Sequence, residues 1–280
     1  MVRGLYTAAA GMYVQQQKVD VLANNMANAD TVGFKRETTV VEEFAPYIWA
    51  NLRILTEKRP LRTNEQVLGP AGTGALSMWT PIDFSEGAFQ TTNSDTDLMI
   101  TGQAFFALRE GVPPGAVNEN EIFYTRSGSF VVDQEGFLLT VDSTTGRRFH
   151  ILDDQQNEIN VNGWSGGVDY LGYFTGTPHR IGVVSFGDMI DETAGGDQSL
   201  IKVGMNRYTT NPYLAVEANW LTAAEMGNIA IVQGGLEASN VNTISEMVAL
   251  ISATRAYEAS QKIVQMTDSS LGQANEIGRQ

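Results

Sequence analysis

The stretch NNMANADTVGFKR, residues 24–36, places three asparagines at the end of an otherwise helical pattern. Asparagine costs a helix roughly 0.6 kcal/mol relative to alanine. Glutamate or lysine would suit a solvated helix face better, whereas an amide can meet another backbone or helix without burying a charge. The asparagines therefore indicate a face that contacts something other than water. The alternative is a set of surface residues beside a fraying helix end, with Gly33 as its terminator.

Upstream of this stretch, residues 3–29 carry a stripe of apolar side chains. Their spacing alternates between three and four residues, which places them on one face of a helix. The stripe consists of Leu5, Ala8, Met12, Val19, Leu22 and Met26, with Gln15 as its polar member. Most of these side chains are modest in size, so the stripe predicts a helix that packs closely against its partners.

The C-terminal end mirrors this pattern. Apolar residues recur there every seven positions, with small residues at the spacing between them. The recurring residues are Leu250, Tyr257, Val264 and Leu271. Residues 241–277 contain no proline and a single glycine, which predicts one helix on the order of 55 Å long at 1.5 Å per residue. Ser239 or Asn240 is the expected N-cap.

The middle of the chain has a different character, with frequent glycines and short apolar runs. Residues 130–132 and 137–139 flank the turn DQEG at 133–136, a good β-hairpin signal. We therefore predict an α+β fold, in which N- and C-terminal helices form a coiled-coil-like helical domain and a central module is antiparallel β-sheet. The predicted boundaries are residues 1–36 for the N-terminal helix, 37–77 for a partly extended connector, 78–235 for the β-rich module and 236–280 for the C-terminal helix. Residues 40–55 of the connector could be partly helical.

Composition excludes several classes of function. The chain of 280 residues has 18 Lys and Arg against 32 Asp and Glu, so a nucleic-acid surface is not expected. An anionic membrane surface is disfavoured for the same reason. The absence of cysteine excludes disulfides and thiolate sites. We find no apolar run long enough to insert into a membrane and no signal-peptide pattern. The acidic excess lies between the ends, since residues 1–36 hold four basic and two acidic residues and residues 241–280 hold three and four.

Candidate chemical residues are few. The paired carboxylates Asp95 with Asp97, and Asp153 with Asp154, could in principle serve a glycan hydrolase. All four lie in predicted turns, where aspartate commonly accepts hydrogen bonds from its own backbone. The two histidines, His150 and His179, are not spaced as a ligand pair. We expect no catalytic, cofactor-binding or metal-binding residues.

Three parts of the chain resemble one family. LANNMANADTVGFKR, with the opening GLYTAAAGM, is similar to the N-terminal signature of bacterial flagellar rod, hook and hook-associated axial proteins. The C-terminal GLEASNV, followed by Glu246-Met247 and RAYEA at 255–259, resembles the matching C-terminal signature. The central TTNSDTDLMITGQAFFAL, FYTRSGSFVVDQEGFLLT and VGMNRYTT resemble the family's β module. Residues 161–180 match no part of this pattern.

This resemblance implies a structural, non-enzymatic subunit of the flagellar basal-body rod that transmits torque. It implies a tubular assembly with the terminal helices inside and the β module outside. Expected partners are further copies, other rod and hook proteins, and the type III export apparatus, which needs no cleaved signal peptide. The expected location is the periplasm-spanning rod; its proximal or distal part is left open. Another secreted filament or a tail tube is the alternative, and a wall-cleaving hydrolase is a third possibility.

The resemblance and the two stripes together predict an assembly interface, in which the three asparagines pack against helices of neighbouring subunits. Its expected residues are Leu5, Met12, Val19, Leu22, Asn24, Asn25, Met26, Asn28, Gly33, Phe34, Leu250, Tyr257, Val264 and Leu271.

Overall fold

The chain divides into a helical unit and a β unit. A computed structural model describes residues 2–43, 74–111, 121–142, 145–186, 190–191, 197–204, 206–212, 218–227 and 229–277. The helical unit comprises Met1–Met26, Glu37–Pro81 and Asn242–Gln280. The β unit comprises Ala27–Arg36 and Ile82–Val241. The predicted α+β class is confirmed, and the predicted coiled-coil packing stays a prediction.

The helical unit contains helices α1 (Val2–Ala27) and α2 (Thr243–Ile277). A Cβ on Gly11 would lie 3.8 Å from the Ser260 hydroxyl, and the Asn25 amide reaches Glu246. The two helices therefore run antiparallel. Their buried apolar residues are Ala8, Val14, Leu22 and Ala253, of which Val14 lies outside the predicted stripe.

The described part of the connector is a β-ladder. Strand β1 (Val40–Glu43) pairs antiparallel with β2 (Ala75–Trp79). Helix over residues 40–43 is therefore wrong, because the β-branched pair Val40 and Val41 favours a strand when a partner strand is present. The rest of the predicted helical stretch lies in residues 44–73, outside the described residues.

Both helix ends differ from the prediction. Helix α1 ends at Ala27, six residues before Gly33. Turns fill the gap, with the Thr31 amide donating to the Asn28 carbonyl oxygen at 3.1 Å. At the start of α2 the cap is Asn242, whose Oδ1 accepts from the amides of Ile244 and Ser245 at 3.1 and 3.2 Å. Neither Ser239 nor Asn240 does so, because the Ser239 hydroxyl accepts from the Val241 amide and the Asn240 side chain is bonded to the backbone of Arg36 and Asp83.

The β unit is antiparallel in all its described pairings. Its strands are β3 (Phe89–Thr91), β4 (Leu98–Thr101), β5 (Phe105–Glu110), β6 (Ile122–Thr125), β7 (Val131–Val132), β8 (Leu138–Val141), β9 (Arg148–Ile151), β10 (Val183–Ser185), β11 (Ile190–Asp191), β12 (Asp197–Gln198), β13 (Leu200–Lys202), β14 (Arg207–Thr210), β15 (Asn219–Trp220), β16 (Ala230–Gln233) and β17 (Gly235–Glu237). Within the described residues, nine strands form one sheet in the order β13-β14-β6-β5-β9-β8-β7, with β10 joining β5 to β15. Strands β16 and β17 pair with β4 and β3 respectively.

Strand β5 lies at the centre of the unit, and residues 104–108 are fully buried. Successive side chains of a strand point to opposite faces. Accordingly Phe106 and Leu108 belong to one apolar cluster, and Phe105 and Ala107 to the other. Both faces of the sheet are covered, so the sequence reads as a continuous apolar run here.

The predicted hairpin is present between β7 and β8. The Asp133 amide donates to the Phe137 carbonyl oxygen at 2.9 Å, and Gly136 takes a φ of 86°. Residues 161–180, which matched no family pattern, fold back onto the core through half-buried Trp164 and buried Phe174. The buried Arg180 guanidinium holds this segment by donating to the Leu171 carbonyl oxygen at 2.9 Å.

Candidate assembly site

Helix α2 has two different faces. Its inner face carries the buried Glu246 and Ala253. At about 100° per residue, the strongly exposed apolar side chains all fall on the opposite face. They are Ile244, Met247, Val248, Ile251, Ile263, Met266 and Ile277, between 45% and 77% exposed. We call these seven residues the exposed face of α2. An apolar set of this size on one side of a helix is typical of an interaction surface.

Helix α1 also carries exposed aromatic side chains. Tyr6 and Tyr13 are 67% and 56% exposed and lie seven residues apart, so they share a face. Asn24 is exposed eleven residues further on, which again returns to this face. Tyr6, Tyr13 and Asn24 therefore lie together on one exposed side of α1.

The predicted interface residues divide into three groups by burial. Asn24 alone among them is exposed. The seam residues are half-buried: Leu5, Met12, Val19, Met26, Leu250, Tyr257, Val264 and Leu271. Five others are buried: Leu22, Asn25, Asn28, Gly33 and Phe34. The sequence therefore located the inner stripes, and it did not identify the exposed face of α2. The sequence feature that could have revealed this face is the group of apolar residues at 244–251 that do not belong to the seven-residue repeat.

Asn25 has its role inside the subunit. Its Nδ2 donates to the Glu37 carbonyl oxygen at 2.7 Å, and its Oδ1 accepts from the Glu37 amide at 3.0 Å. Its Nδ2 also lies 3.3 Å from Oε2 of the buried Glu246. The side chain is fully buried. The expectation that Asn25 packs against a neighbouring subunit is therefore corrected: its amide pairs with the backbone of its own chain after the 28–36 loop.

Gly33 allows a close approach of two backbones. Its φ is 68°, as its predicted left-handed conformation requires, although it does not end the helix. A Cβ on Gly33 would lie 2.5 Å from the Ser127 amide nitrogen, which no real side chain tolerates. The Gly33 amide donates to the Glu237 carbonyl oxygen at 2.8 Å. The adjacent Phe34 is fully buried beneath the Lys202 ammonium, which lies 4.0 Å from the ring centroid.

A buried charged cluster follows directly. Lys35 Nζ lies 2.6 Å from Glu237 Oε1 and donates to the Ser85 carbonyl oxygen at 2.6 Å. Arg126 Nη1 lies 3.5 Å from Glu237 Oε2 and donates to the Ile100 carbonyl oxygen at 3.1 Å. The three charged side chains are at most 1% exposed. Two cations thus share one carboxylate inside the protein.

Burial dominates the electrostatics of this cluster. It lowers the pKa of Lys35 below its ordinary value, although Glu237 opposes the shift. Burial likewise lowers the pKa of Arg126, again against the attraction of Glu237. Desolvated ions hold their charge only with close partners. The cluster therefore depends on Glu237, a residue that the sequence offered only as part of the family motif.

A second set of polar contacts lies beside this cluster. Asn240 Oδ1 accepts from the Arg36 amide at 2.8 Å, and Asn240 Nδ2 donates to the Asp83 carbonyl oxygen at 2.8 Å. Arg36 Nη2 also lies 3.3 Å from Asp83 Oδ2. Burial would raise the pKa of Asp83, but hydrogen bonds from Ser85 and the Arg36 charge lower it. We call Lys35, Arg36, Asp83, Arg126, Glu237 and Asn240 the polar clasp.

Of the candidate hydrolase carboxylates, that of Asp153 organises its own turn. Asp153 is buried, and its Oδ1 accepts from the amides of Gln155 and Asn157 at 2.9 and 2.7 Å. Asp154 is exposed, 3.9 Å from Arg180. The Asp97 backbone pairs across an isolated bridge with Ser129. Over the described ranges, no three His, Cys, Asp or Glu side chains cluster as metal ligands. No helix within the described part of the chain is long and apolar enough to cross a membrane.

Two family models match the ends of the chain. One, described as "Flagella basal body rod protein", covers residues 5–35, and the other, "Flagellar basal body rod FlgEFG protein C-terminal", covers residues 232–277. Curated relatives extend this similarity over the whole length. The flagellar basal-body rod protein FlgG of Borreliella burgdorferi is 31% identical over 283 residues, covering 100% of both chains.

Two further relatives agree. FlgG of Caulobacter vibrioides is 29% identical, covering 99% of each chain. The flagellar hook-basal body complex protein FlhO of Bacillus subtilis is 28% identical, covering 100% of each. Residues 5–35 and 232–277 contain α1 from Leu5 onward, Gly33, Glu237 and the whole of α2, so the matched segments carry the two helices of the candidate assembly site. The chain belongs to the flagellar basal-body rod protein family.

Proposed function

We propose that this chain is a structural, non-enzymatic subunit of the flagellar basal-body rod. It polymerises through its terminal helices into a tubular axial assembly that transmits torque. The observation that carries this proposal is the exposed face of α2, because none of the residues that the structure describes covers its seven apolar side chains. The tube places α1 and α2 inside and the β unit outside, with coiled-coil-like contacts between helices of neighbouring copies.

The partners follow from this role. They are further copies of the chain and other rod and hook proteins, since the relatives named above belong to the basal body and the hook-basal body complex. The chain reaches the periplasm-spanning rod through the flagellar type III export apparatus. A secreted filament or tail-tube subunit is the second candidate, because it too would bury such a helical face in a polymer.

The first experiment is to locate a tagged copy of the full chain in purified basal bodies. We expect it in the rod fraction, in a fixed ratio to other axial proteins. Its presence only in a separate filament would replace the rod with the second candidate.

The second experiment separates the exposed face of α2 from the rest of the helix. Ile251→Asp puts a charge on that face, whereas Gln261→Asp puts the same charge on an exposed position outside it. Burying an unpaired carboxylate in an interface is costly, so Ile251→Asp should abolish incorporation into basal bodies. Gln261→Asp should incorporate normally, and both isolated chains should melt like the wild type. Equal incorporation of the two variants would refute the assembly face.

A further inference from the structure

The polar clasp joins parts of the β unit that are far apart in sequence. The chain changes units after Met26, Arg36, Pro81 and Val241. Arg36, Asp83 and Asn240 each lie within two residues of one of these changes. The clasp thus holds together, inside the β unit, the chain at three of these four changes.

The contacts of the clasp form two layers. In the outer layer, the Asn240 amide bonds to the backbone at Arg36 and at Asp83, and its Nδ2 lies 3.0 Å from the Ser85 hydroxyl. In the inner layer, Glu237 Oε1 accepts from Lys35 Nζ and from the Gly87 amide at 2.8 Å. A Cβ on Gly87 would lie 1.8 Å from the Ala238 carbonyl oxygen, so these segments are in direct backbone contact.

A buried charged cluster is an inefficient source of stability. Replacing a buried ion cluster by apolar side chains is often neutral or stabilising. Removing a single member, in contrast, can leave another charge buried without a partner. What a charged cluster adds is fixed geometry, because each hydrogen bond specifies a partner atom. Lys35 makes its two bonds to Glu237 and Ser85, which belong to the other two segments.

We propose that the polar clasp is a joint, in which Lys35, Glu237 and Asn240 are positioning residues for rod assembly. They set the course of the chain at these three points, so that the segments leading to β1, from β2 and to α2 take the same path in every copy. This inference rests on the proposed function, because positioning of the helices matters only if the helices assemble.

Variants that change the charge of the inner layer in different ways distinguish a positioning role of the cluster from a stabilising one. Lys35, Arg126 and Glu237 together carry a formal charge of +1. Lys35→Met leaves a balanced pair, Glu237→Gln leaves two buried cations, and the double variant returns to +1. Glu237→Gln should therefore lower the melting temperature of the β unit most. The double variant should melt above Glu237→Gln, and Lys35→Met should melt close to the wild type.

The decisive variant is Lys35→Met, which leaves Arg126 and Glu237 as a balanced pair but removes the hydrogen bonds to Glu237 and Ser85. In the isolated full chain, amide exchange at residues 33–36 should accelerate by roughly tenfold or more, with the amides of β5 unchanged. In cells, the amount of the chain in purified basal bodies should fall severalfold. Arg148→Met is the matched control, because it removes an exposed ion pair to Asp133 in the same unit. It should leave both measurements unchanged.

Asn240→Ala provides an independent test, since it removes the outer layer without touching a charge. It should accelerate exchange at Arg36 and lower basal-body content in the same direction as Lys35→Met. If amide exchange is unchanged in both variants, the polar clasp does not position these segments, whatever the effect of the variants in cells. Faster exchange with normal incorporation would overturn its role in assembly while leaving the rod assignment intact. If Lys35→Met instead unfolds the whole β unit, the cluster serves stability and the positioning role is wrong.

Discussion

Strand β5 and the first turns of α2 are similarly apolar, yet the fold treats them in opposite ways. Residues 105–108 are fully buried, because apolar clusters cover both faces of their sheet. Ile244 and Val248 are 75% and 60% exposed. Among the described residues, the β unit thus completes its own core, whereas the helical unit leaves an apolar face of α2 uncovered. We therefore expect the β unit to be stable in the isolated subunit and the helices to gain stability on assembly.

The largest expected consequence concerns the isolated chain. Amides of β5 should exchange only through global unfolding, whereas helices that depend on missing partners open locally. A difference of about 5 kcal/mol in opening free energy corresponds to roughly 5000-fold in exchange rate. Hydrogen exchange on the dilute monomer measures it directly. Protection of α1 and α2 equal to that of β5 would contradict the comparison.

The same contrast applies to side-chain truncation. Phe106 is fully buried, with its ring centroid 5.0 Å from that of Phe130. Phe106→Ala should cost about 3–5 kcal/mol of β-unit stability, because it removes apolar contact and leaves a cavity. Ile251→Ala, on the exposed face of α2, should change the melting of the monomer by less than about 0.5 kcal/mol. Denaturant unfolding of both variants compares them, and a similar loss in each would place both sites in one core.

A comparison of Gly33 with Gly146 distinguishes the cost of a positive φ from the cost of a steric clash. Gly33→Ala should cost about 2–3 kcal/mol, because its φ is positive and its Cβ would meet the Ser127 backbone. Gly146 has the same φ of 68° but nothing within 4 Å of its Cβ position. Gly146→Ala should therefore cost only about 1 kcal/mol. Equal melting of the two variants would show that the segments do not approach as closely as the structure indicates.

The asparagines are expected to differ from each other, with the smaller effect at Asn24. Asn25→Ala leaves the Glu37 backbone groups and the buried Glu246 without the amide, at a cost of about 1–3 kcal/mol per subunit. Asn24→Ala removes an exposed side chain, so we expect at most a few tenths of a kcal/mol within the subunit and a smaller loss of the assembled form. The urea midpoint for dissociation of purified rods ranks the two. If Asn24→Ala lowered the midpoint as much as Asn25→Ala, the asparagines would act mainly through contacts between subunits.

Much of the architecture could be predicted from local signals. Seven-residue spacing identified the two helices, and a four-residue turn with glycine at its end identified the β7–β8 hairpin. The candidate site was predicted less well. The three asparagines were recognised as unusual, but the partners of Asn25 are backbone atoms twelve residues away, which no side-chain pattern displays.

The sequence by itself determined where helix, strand and turn form, because those choices depend on periodicity and on residues such as Gly136 that act over a few positions. It also carried the motifs that identify the family. Only the tertiary structure decided that Lys35, Arg126 and Glu237 are buried together and that the exposed apolar face of α2 lies opposite its inner stripe. The physical reason is distance along the chain: Lys35 and Glu237 are separated by 202 positions, and the free energy of burying them depends on each other's presence.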